Sequence, residues 1–311
     1  MAPRIGLGLA EFPFSGARAF WRWVDLLEDG GVDSLWQTDR LISPQPMLDC
    51  MSTMAALAGA TRRMKFGMNV LALAFREPLL VAKACASIDY LSEGRLLPAF
   101  GLGSLASPDW AALGRTPQGQ GARLDQMLDI ITRLWRGETV DVDGPHFHYR
   151  GARLSPLPVQ QPLPLWLGGS SPAAIRRTAR FGAGWQGGGE APEAIGPVVE
   201  AIKAAAIEAG RPMDPEHFSA GFFFRFGHAD DPLAEARRKA FAKALPGRDA
   251  SAMVIAGDAE AIVRRVRDYQ AAGITKFILR PLGEGDEDLF DQTRRLLAEV
   301  IPEVHGAAAR G

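Results

Sequence analysis

The sequence predicts a closed (β/α)8 barrel, an α/β fold, and three observations support this. Short apolar, β-rich runs alternate with longer helical patterns, which is typical of parallel sheets built from βαβ units. Eight such runs occur, and eight strands each followed by a helix is the count of this barrel. The length of 311 residues suits a single barrel domain. We therefore expect one domain over residues 1–305, with an insertion at about 137–163 before the fifth strand, and a flexible tail over 306–311.

The eight apolar runs set the order of the expected strands. They cover residues 4–10, 33–38, 64–73, 95–101, 164–169, 184–188, 219–226 and 276–281. Between the first two runs, Phe20, Val24 and Leu27 fall on one helical face, with Trp23 at its edge, and Gly30 supplies a stop. The run of apolar residues from Leu124 to Leu134 repeats this pattern before Gly137.

Residues 137–164 interrupt the alternation of strands and helices. This segment holds five prolines and has no helical period, so we expect an insertion that covers part of one barrel end. His146 and His148 have the i,i+2 spacing that places two ligands on one strand face. Because no third ligand of suitable spacing is near, we interpret the two histidines as part of an alternating surface strand and expect no metal site.

Composition and charge exclude several classes of partner. The chain is 47% hydrophobic and 23% charged, as soluble globular proteins are. Its longest apolar run, 70–75, is far shorter than a membrane span. The apolar stretch before Glu11 is too short for the hydrophobic region of a signal peptide. A net charge of −1 without a basic stripe argues against nucleic acid. We expect a cytoplasmic protein with Cys50 and Cys85 as reduced packing residues.

In a barrel of this kind the active site lies at the carboxyl ends of the strands. That rule selects Glu11, Phe12, Asp39, Arg40, Asn69, residues 101–104, residues 168–171, residues 186–190, Arg225, His228 and Arg280. Glu11, Glu190 and His228 are candidate acid–base groups, although each also fits a solvated loop position.

Asp39 and Arg40 place a carboxylate and a guanidinium side by side after the second strand. Asp39 can accept a hydrogen bond from a ring N–H or a ribityl hydroxyl, and Arg40 can stabilise an anionic ring or a carboxylate. A local ion pair that caps the loop fits the same two residues. Their spacing does not separate the two interpretations.

The stretch LWLGGSSPAAIRR predicts a tight turn into a helix. The strand ends in Gly168 and Gly169, two serines follow as candidate helix caps, and Pro172 suits the first helical position. The free N–H groups and partial positive charge of a helix N-terminus bind phosphate well. An ordinary capped turn fits these residues equally well, so both interpretations stay open at this point.

Gly101, Gly103 and Ala106 form a G-x-G-x-x-A pattern after the fourth strand. A dinucleotide site would need a helix that begins at the second glycine and an acidic residue at the end of a second strand. Pro108 and the irregular run to Gly121 argue against that helix, and the acidic residue at the expected distance lies within a helical pattern. A classical NAD(P) dehydrogenase is therefore the less favoured alternative.

The chain resembles the bacterial luciferase-like superfamily in five segments, which occur in that family's order and at its spacing. They are residues 31–40, 55–73, 76–104, 123–144 and 156–185. Those proteins are flavin- or deazaflavin-dependent oxidoreductases built on a (β/α)8 barrel. The resemblance implies FMN or coenzyme F-420 as cofactor. The cofactor-binding residues that it implies are Asp39, Arg40, Asn69, Val70, Leu102, Gly103, Gly168, Gly169 and Ser170.

The resemblance also implies a place for each group of residues. Asp39 and Arg40 match the pair near the ring and are the implied catalytic residues. Asn69 and Val70 match a bulge where deazaflavin members have a non-prolyl cis peptide behind the ring. Arg40 replaces a histidine found in many members, so the proton donor is unassigned.

The other implied residues surround the ribityl chain and the phosphate. Leu102 and Gly103 match the loop near the ribityl chain, and residues 168–170 match the phosphate cradle, which favours the functional interpretation of that turn. Ser104 replaces a catalytic glutamate found in some relatives, and Ala183 replaces a frequent aspartate.

Two chemistries fit the resemblance. In the first, reduced FMN from a separate flavin reductase reacts with oxygen, and the enzyme is a monooxygenase of a small organic substrate. In the second, coenzyme F-420 exchanges hydride with the substrate. A cofactor-binding flavoprotein without turnover is a further alternative. We expect a homodimer that contacts neither nucleic acid nor membrane.

Overall fold

Parallel strands close into a ring in the computed structural model, which describes residues 2–308. The strands are β1 Arg4–Leu9, β2 Ser34–Gln37, β3 Lys65–Met68, β4 Leu71–Ala72, β5 Leu96–Leu97, β6 Ala99–Gly101, β7 Val140–Asp143, β8 His148–Ala152, β9 Trp166–Gly168, β10 Gly184–Gln186, β11 Phe218–Ala220, β12 Phe223–Phe226, β13 Val254–Gly257 and β14 Lys276–Pro281. Strand β1 pairs with β2 on one side and with β14 on the other, which closes the ring. The predicted (β/α)8 barrel is confirmed, and all eight predicted runs contain barrel strands.

Helices cover the outside of the barrel. They are α1 Ala17–Asp29, α2 Cys50–Ala60, α3 Pro78–Leu91, α4 Asp109–Ala112, α5 Gln120–Trp135, α6 Pro172–Phe181, α7 Pro192–Glu208, α8 Pro232–Ala244, α9 Ala250–Met253, α10 Ala259–Ala271, α11 Gly285–Arg295 and α12 Ile301–Ala308, with a 3-10 turn at Leu73–Phe75 and a π-helical turn at Leu296–Val300. Within residues 2–308, every helix is too short or too polar to cross a bilayer.

The amphipathic patterns account for the first and fifth helices. In α1, Phe20, Trp23, Val24 and Leu27 are buried, as their spacing predicts. In α5 the predicted stripe is buried in the same way, and the helix ends two residues before Gly137. The irregular run after Pro108 contains one short helix, α4, that the sequence did not predict.

Three barrel strands are interrupted in the middle, and one of them is the seventh run, 219–226, which is divided into β11 and β12. The third predicted run, 64–73, is divided into β3 and β4 at the Asn69–Val70 peptide bond, which is cis. The fourth run, 95–101, is divided into β5 and β6 at Pro98, which has no N–H to donate. The carbonyl of Pro98 still accepts a hydrogen bond from the N–H of Trp166 at 2.8 Å. Each interruption lies just before a strand end that faces the barrel mouth.

Large side chains fill the barrel below that mouth. Trp36 and Trp166 meet edge to face with ring centroids 5.9 Å apart. Leu97 and Ile278 complete this buried cluster, and Val70 packs against it from the mouth. The barrel interior is therefore a packed core, and a ligand on the barrel axis would lie above it, at the carboxyl ends of the strands.

The segment before β9 forms an antiparallel hairpin of β7 and β8. His148 lies on β8, where its Nδ1 is 2.7 Å from Oδ1 of Asp143, and both side chains are exposed. Strand β13 pairs in parallel with β12 and lies outside the ring. The count of eight runs missed it because its four residues directly follow a short helix.

The last helix differs from the expected tail. Helix α12 extends to Ala308, so residues 306–308 of the predicted flexible tail are helical. Residues 309–311 lie outside the described residues.

Candidate functional site

A cavity of about 500 Å³ opens at the carboxyl ends of the strands, and we call it the mouth cavity. Its walls come from the ends of β2, β4, β6, β9 and β10 and from the loops that follow them. The sequence-predicted residues that line it are Asp39, Arg40, Asn69, Val70, Leu102, Gly103, Gly168 and Gly169. The structure thus brings eight of the nine predicted cofactor residues together, and Ser170 is the exception.

Val70 forms the floor of the mouth cavity, between two glycines on neighbouring strands. A Cβ atom at Gly101 would lie 2.7 Å from Cγ2 of Val70, and one at Gly168 would lie 3.1 Å from its Cγ1. Real Cβ atoms essentially never come as close as 2.7 Å, so a side chain at Gly101 would force Val70 to move, whereas one at Gly168 would make an unusually tight contact with it. The result is a smooth apolar floor that suits one face of a flat ring.

The turn from β9 into α6 forms one end of the mouth cavity. Oγ of Ser171 accepts a hydrogen bond from the N–H of Ala174 at 3.2 Å and caps the helix, and Pro172 is the first helical residue. Arg177, one turn further along α6, also lines the cavity. Its Nε is 2.5 Å from Oδ1 of Asp125. A helix N-terminus with a nearby guanidinium attracts an anion such as phosphate.

Ser170 does not line the mouth cavity, contrary to its predicted role. Its hydroxyl donates to Oε1 of Glu190 at 2.5 Å, and Glu190 is 4% exposed. The same carboxylate accepts from the N–H of Gly188 at 2.7 Å and pairs with Arg248 at 3.0 Å. Ser170 and Glu190 thus join the loops after β9 and β10. Pro172 at the first helical position was the sequence signal that marks Ser171, the residue before it, as the cap.

Asp39 pairs with Arg76 and not with Arg40. Its Oδ1 accepts from Nη2 of Arg76 at 2.7 Å, and its Oδ2 accepts from the N–H of Ala72 at 3.0 Å. Burial raises the pKa of Asp39, although the charge of Arg76 opposes that shift. The alternative interpretation, a local ion pair between Asp39 and Arg40, is therefore not what the structure shows. Asp39 instead holds the end of the third barrel strand in place.

Arg40 lies exposed at the rim of the mouth cavity. Its guanidinium forms no hydrogen bond and no ion pair with any residue in the described part of the chain. It is therefore available to a negative charge on a ligand in the cavity. Arg76 was within a segment that carried the resemblance, but nothing in its local sequence indicated its partner.

Gln186 is a cavity residue for which the sequence suggested no role. The side chain is 2% exposed, and its Nε2 donates to the carbonyl of Met68 at 3.3 Å. Its Oε1 is buried and has no hydrogen-bond partner among residues 2–308. A buried acceptor without a donor is costly, so a ligand N–H at this point would satisfy it.

The loop after β6 joins the loop after β2 across the cavity rim. Asp109 is 2% exposed and accepts from the backbone N–H groups of Leu41 at 3.3 Å and Ile42 at 2.8 Å. Next to it, Trp110 donates from its indole to the carbonyl of Ser104 at 2.9 Å. These contacts fix the position of the rim residues.

The remaining candidates at the mouth lie outside this cavity. Glu11 pairs with Arg237 on α8, and His228 is exposed. Arg225 pairs with two carboxylates, and Arg280 lies at the end of β14. These residues belong to the part of the mouth formed by the first, seventh and eighth barrel strands.

Comparison with known proteins is consistent with this geometry. The sequence model of the luciferase-like monooxygenase family matches residues 6–245. An uncharacterized protein of Mycobacterium tuberculosis is 32% identical over 170 residues, which are 54% of this chain and 57% of that protein. The match thus spans little more than half the length of this curated relative.

Two solved structures share the fold over nearly the whole chain. A coenzyme F-420-dependent secondary alcohol dehydrogenase, in complex with an F-420–acetone adduct, has a TM-score of 0.83 at 19% identity and covers 98% of this chain and 99% of its own. The oxygenating constituent of 3,6-diketocamphane monooxygenase from the CAM plasmid of Pseudomonas putida, in complex with FMN, has a TM-score of 0.74 at 17% identity and covers 97% of this chain and 99% of its own. Likeness at these identities concerns the fold.

Proposed function

Since this chain belongs to the luciferase-like monooxygenase family, we propose that it is an oxidoreductase that binds FMN or coenzyme F-420 in the mouth cavity. The observation that carries the proposal is the floor made by Val70 between Gly101 and Gly168. A flat ring fits on such a floor, and a side chain at Gly101 would displace Val70. The two structures described above, which bear these cofactors, have the same barrel.

The other residues of the mouth cavity fit the two polar parts of such a cofactor. Ser171, the N-terminus of α6 and Arg177 would hold the phosphate. The unpartnered Oε1 of Gln186 would accept a hydrogen bond from a ring N–H. Arg40 would stabilise negative charge on the reduced ring, and Asp39 would position the strand end through Ala72 and Arg76.

The bound cofactor would supply either hydride transfer or, as reduced FMN, the reaction with oxygen. The first activity makes the protein a dehydrogenase or reductase of a small organic substrate. The second makes it a monooxygenase that depends on a separate flavin reductase. Binding without turnover is the alternative in which the same cavity holds the cofactor only.

Titration of the purified protein with each cofactor, followed by protein and cofactor fluorescence, tests the proposal. The wild type is expected to bind one of them below about 100 μM, roughly 5 kcal/mol of binding free energy. Gly101→Ala is expected to weaken binding at least about tenfold, because its Cβ would displace Val70. Gly59→Ala is the matched control, since nothing lies within 4 Å of its added Cβ.

A second variant shows whether Gly101→Ala weakens binding because it displaces Val70 or because it disturbs the fold. The double variant Gly101→Ala with Val70→Ala removes the clash and is expected to regain part of the affinity. If the wild type binds neither cofactor in this range, the proposal is wrong. If Gly101→Ala binds as the wild type does, the ring lies elsewhere.

Oxygen uptake by the loaded, reduced protein then distinguishes the activities. A monooxygenase consumes oxygen in a substrate-dependent way, whereas a hydride-transfer enzyme reoxidises its cofactor with substrate under anaerobic conditions. A passive binder does neither beyond the rate of the free cofactor.

We also propose that the protein is a cytoplasmic homodimer. Leu80 and Leu91 are 70% and 71% exposed and lie eleven residues apart on α3, so both fall on one face of the helix that would pack against a second copy. Sedimentation of the wild type and of a Leu80→Glu, Leu91→Glu variant tests this interface. The wild type is expected to be dimeric and the variant monomeric, and a monomeric wild type contradicts the proposal.

A further inference from the structure

A second, smaller cavity of about 90 Å³ lies at the carboxyl ends of β1, β12 and β14, and we call it the arginine cavity. Gly8 and Glu11 line it from the first strand and its loop. Phe223 lines it from β12, Arg237 from α8 and Arg280 from the end of β14. The mouth cavity draws its walls from other strand ends, so the two cavities lie in different parts of the barrel mouth.

Arg280 is the unusual residue of the arginine cavity. It is half-buried, and its backbone N–H donates to the carbonyl of Phe222 at 3.0 Å. Its guanidinium forms no hydrogen bond and no ion pair with any residue from 2 to 308. Burial, with a smaller effect from the charge of Arg237, lowers the pKa of Arg280 to about 10, so the group is charged at neutral pH.

Arg280 and Arg237 both lie over the ring of Phe223. Their Cζ atoms are 5.4 Å and 4.8 Å from the ring centroid. Arg237 is neutralised by its ion pair with Glu11. The charges of Glu11, Arg237 and Arg280 therefore leave one uncompensated positive charge, and it belongs to Arg280.

The side chain of Arg280 lies next to Gly8 on the first strand. A Cβ atom at Gly8 would be 2.6 Å from Cγ2 of Ile278, 3.4 Å from Cγ of Arg280 and 3.5 Å from its Nε. The added Cβ would thus clash with Ile278 and only touch Arg280, whose guanidinium lies over the ring of Phe223. A planar guanidinium without an acceptor among the described residues matches the geometry of a bound oxyanion.

We propose that Arg280 binds the anionic group of the substrate, a carboxylate, sulfonate or phosphate, so that the substrate of the oxidoreductase is a small organic anion. That the anion is a substrate rests on the proposed function. That this site binds an anion rests on the arginine cavity alone. The phosphate of the cofactor has its own candidate site at α6 and Arg177, on the other side of the barrel mouth. Arg280 is thus left for a different anion.

Calorimetric titration of cofactor-free protein with acetate, methanesulfonate and inorganic phosphate tests the site. The wild type is expected to bind at least one of them below about 10 mM. Arg280→Met is expected to weaken the binding of acetate and methanesulfonate at least about tenfold, while Arg18→Met, at an exposed position on α1, leaves it unchanged. Arg177→Met is expected to weaken only the binding of inorganic phosphate, which separates the arginine cavity from the phosphate position at α6.

The unfolding temperature controls for the fold. Because the Arg280 guanidinium forms no hydrogen bond or ion pair with residues 2–308, and methionine can still pack against the ring of Phe223, Arg280→Met is expected to unfold no earlier than the wild type in the absence of anions. If none of the three anions binds the wild type, or if Arg280→Met binds them equally well, the proposal is overturned. The protein could fail to bind FMN and coenzyme F-420 and still bind an anion through Arg280. That result would support the anion site and contradict only the proposed cofactor.

Discussion

Arg225 and Arg280 lie on paired neighbouring strands at the same end of the barrel, and their surroundings are opposite. The guanidinium of Arg225 donates to Asp231 at 2.7 Å, to Asp288 at 2.8 Å and to the carbonyl of Leu282 at 3.0 Å. The guanidinium of Arg280 has no such partner among the described residues. Both are half-buried. The contrast indicates that Arg225 stabilises the fold and that Arg280 is held ready for a ligand.

Loss of the paired arginine is expected to have the largest effect. Arg225→Met leaves Asp231 and Asp288 without their shared cation, and both side chains are largely buried. We expect the free energy of unfolding to fall by about 3 kcal/mol. Urea unfolding followed by circular dichroism measures it. A loss below about 0.5 kcal/mol would mean that this cluster does not stabilise the fold.

Acid is expected to weaken the same cluster. Burial alone would raise the pKa of Asp231 and Asp288, but hydrogen bonds from Arg225 and from backbone N–H groups outweigh it and lower both pKa values. Their contribution to stability is therefore complete above the unfolded pKa of about 4 and is lost as the pH falls through the lower folded values. Unfolding measured from pH 7 down to about pH 3 is expected to show this loss, and Arg225→Met should show less of it.

Ser170 and Ser171 repeat the contrast on a smaller scale, since one hydroxyl is bound to Glu190 and the other lines the mouth cavity. Ser171→Ala is expected to cost about 1 kcal/mol of stability as a lost helix cap. It should also weaken cofactor binding, whereas Ser170→Ala should leave the dissociation constant within about twofold. If Ser170→Ala and Ser171→Ala change the dissociation constant of the cofactor equally, the proposed contact of the phosphate with Ser171 and not with Ser170 is wrong.

The smallest change in stability is expected at Arg280. Because no protein acceptor is lost, Arg280→Met should alter the free energy of unfolding by no more than about 0.5 kcal/mol. Measurement beside Arg225→Met under identical conditions gives the comparison directly. A loss as large as that of Arg225→Met would assign a structural role to both arginines.

Much of the barrel was predictable because its signals are local. Alternation of strands and helices and the amphipathic stripe of α1 depend on residues close in sequence. The glycines at 101, 103, 168 and 169 marked the strand ends that line the mouth cavity. Strand β13 was missed because four apolar residues after a helix do not differ from the end of that helix.

The sequence predicted which residues line the mouth cavity better than it predicted which side chains contact each other there. Most of the expected cofactor residues line one cavity, because parallel strands end at one edge of the barrel. The partner of Asp39 was not predictable, since Arg76 is 37 residues away along the chain. The pairing of Ser170 with Glu190 depends in the same way on two separate loops.

By itself, the sequence determined the order of strands and helices, the strand ends that carry glycine and the helix that begins after Ser171. The tertiary structure alone decided which charges are neutralised within the protein. Arg225 and Arg280 are alike in sequence terms, each at the end of an apolar strand. Only folding brings Asp231 and Asp288 to the first, while none of the described carboxylates pairs with the second, because ion pairing depends on distances between atoms that the order of residues does not set.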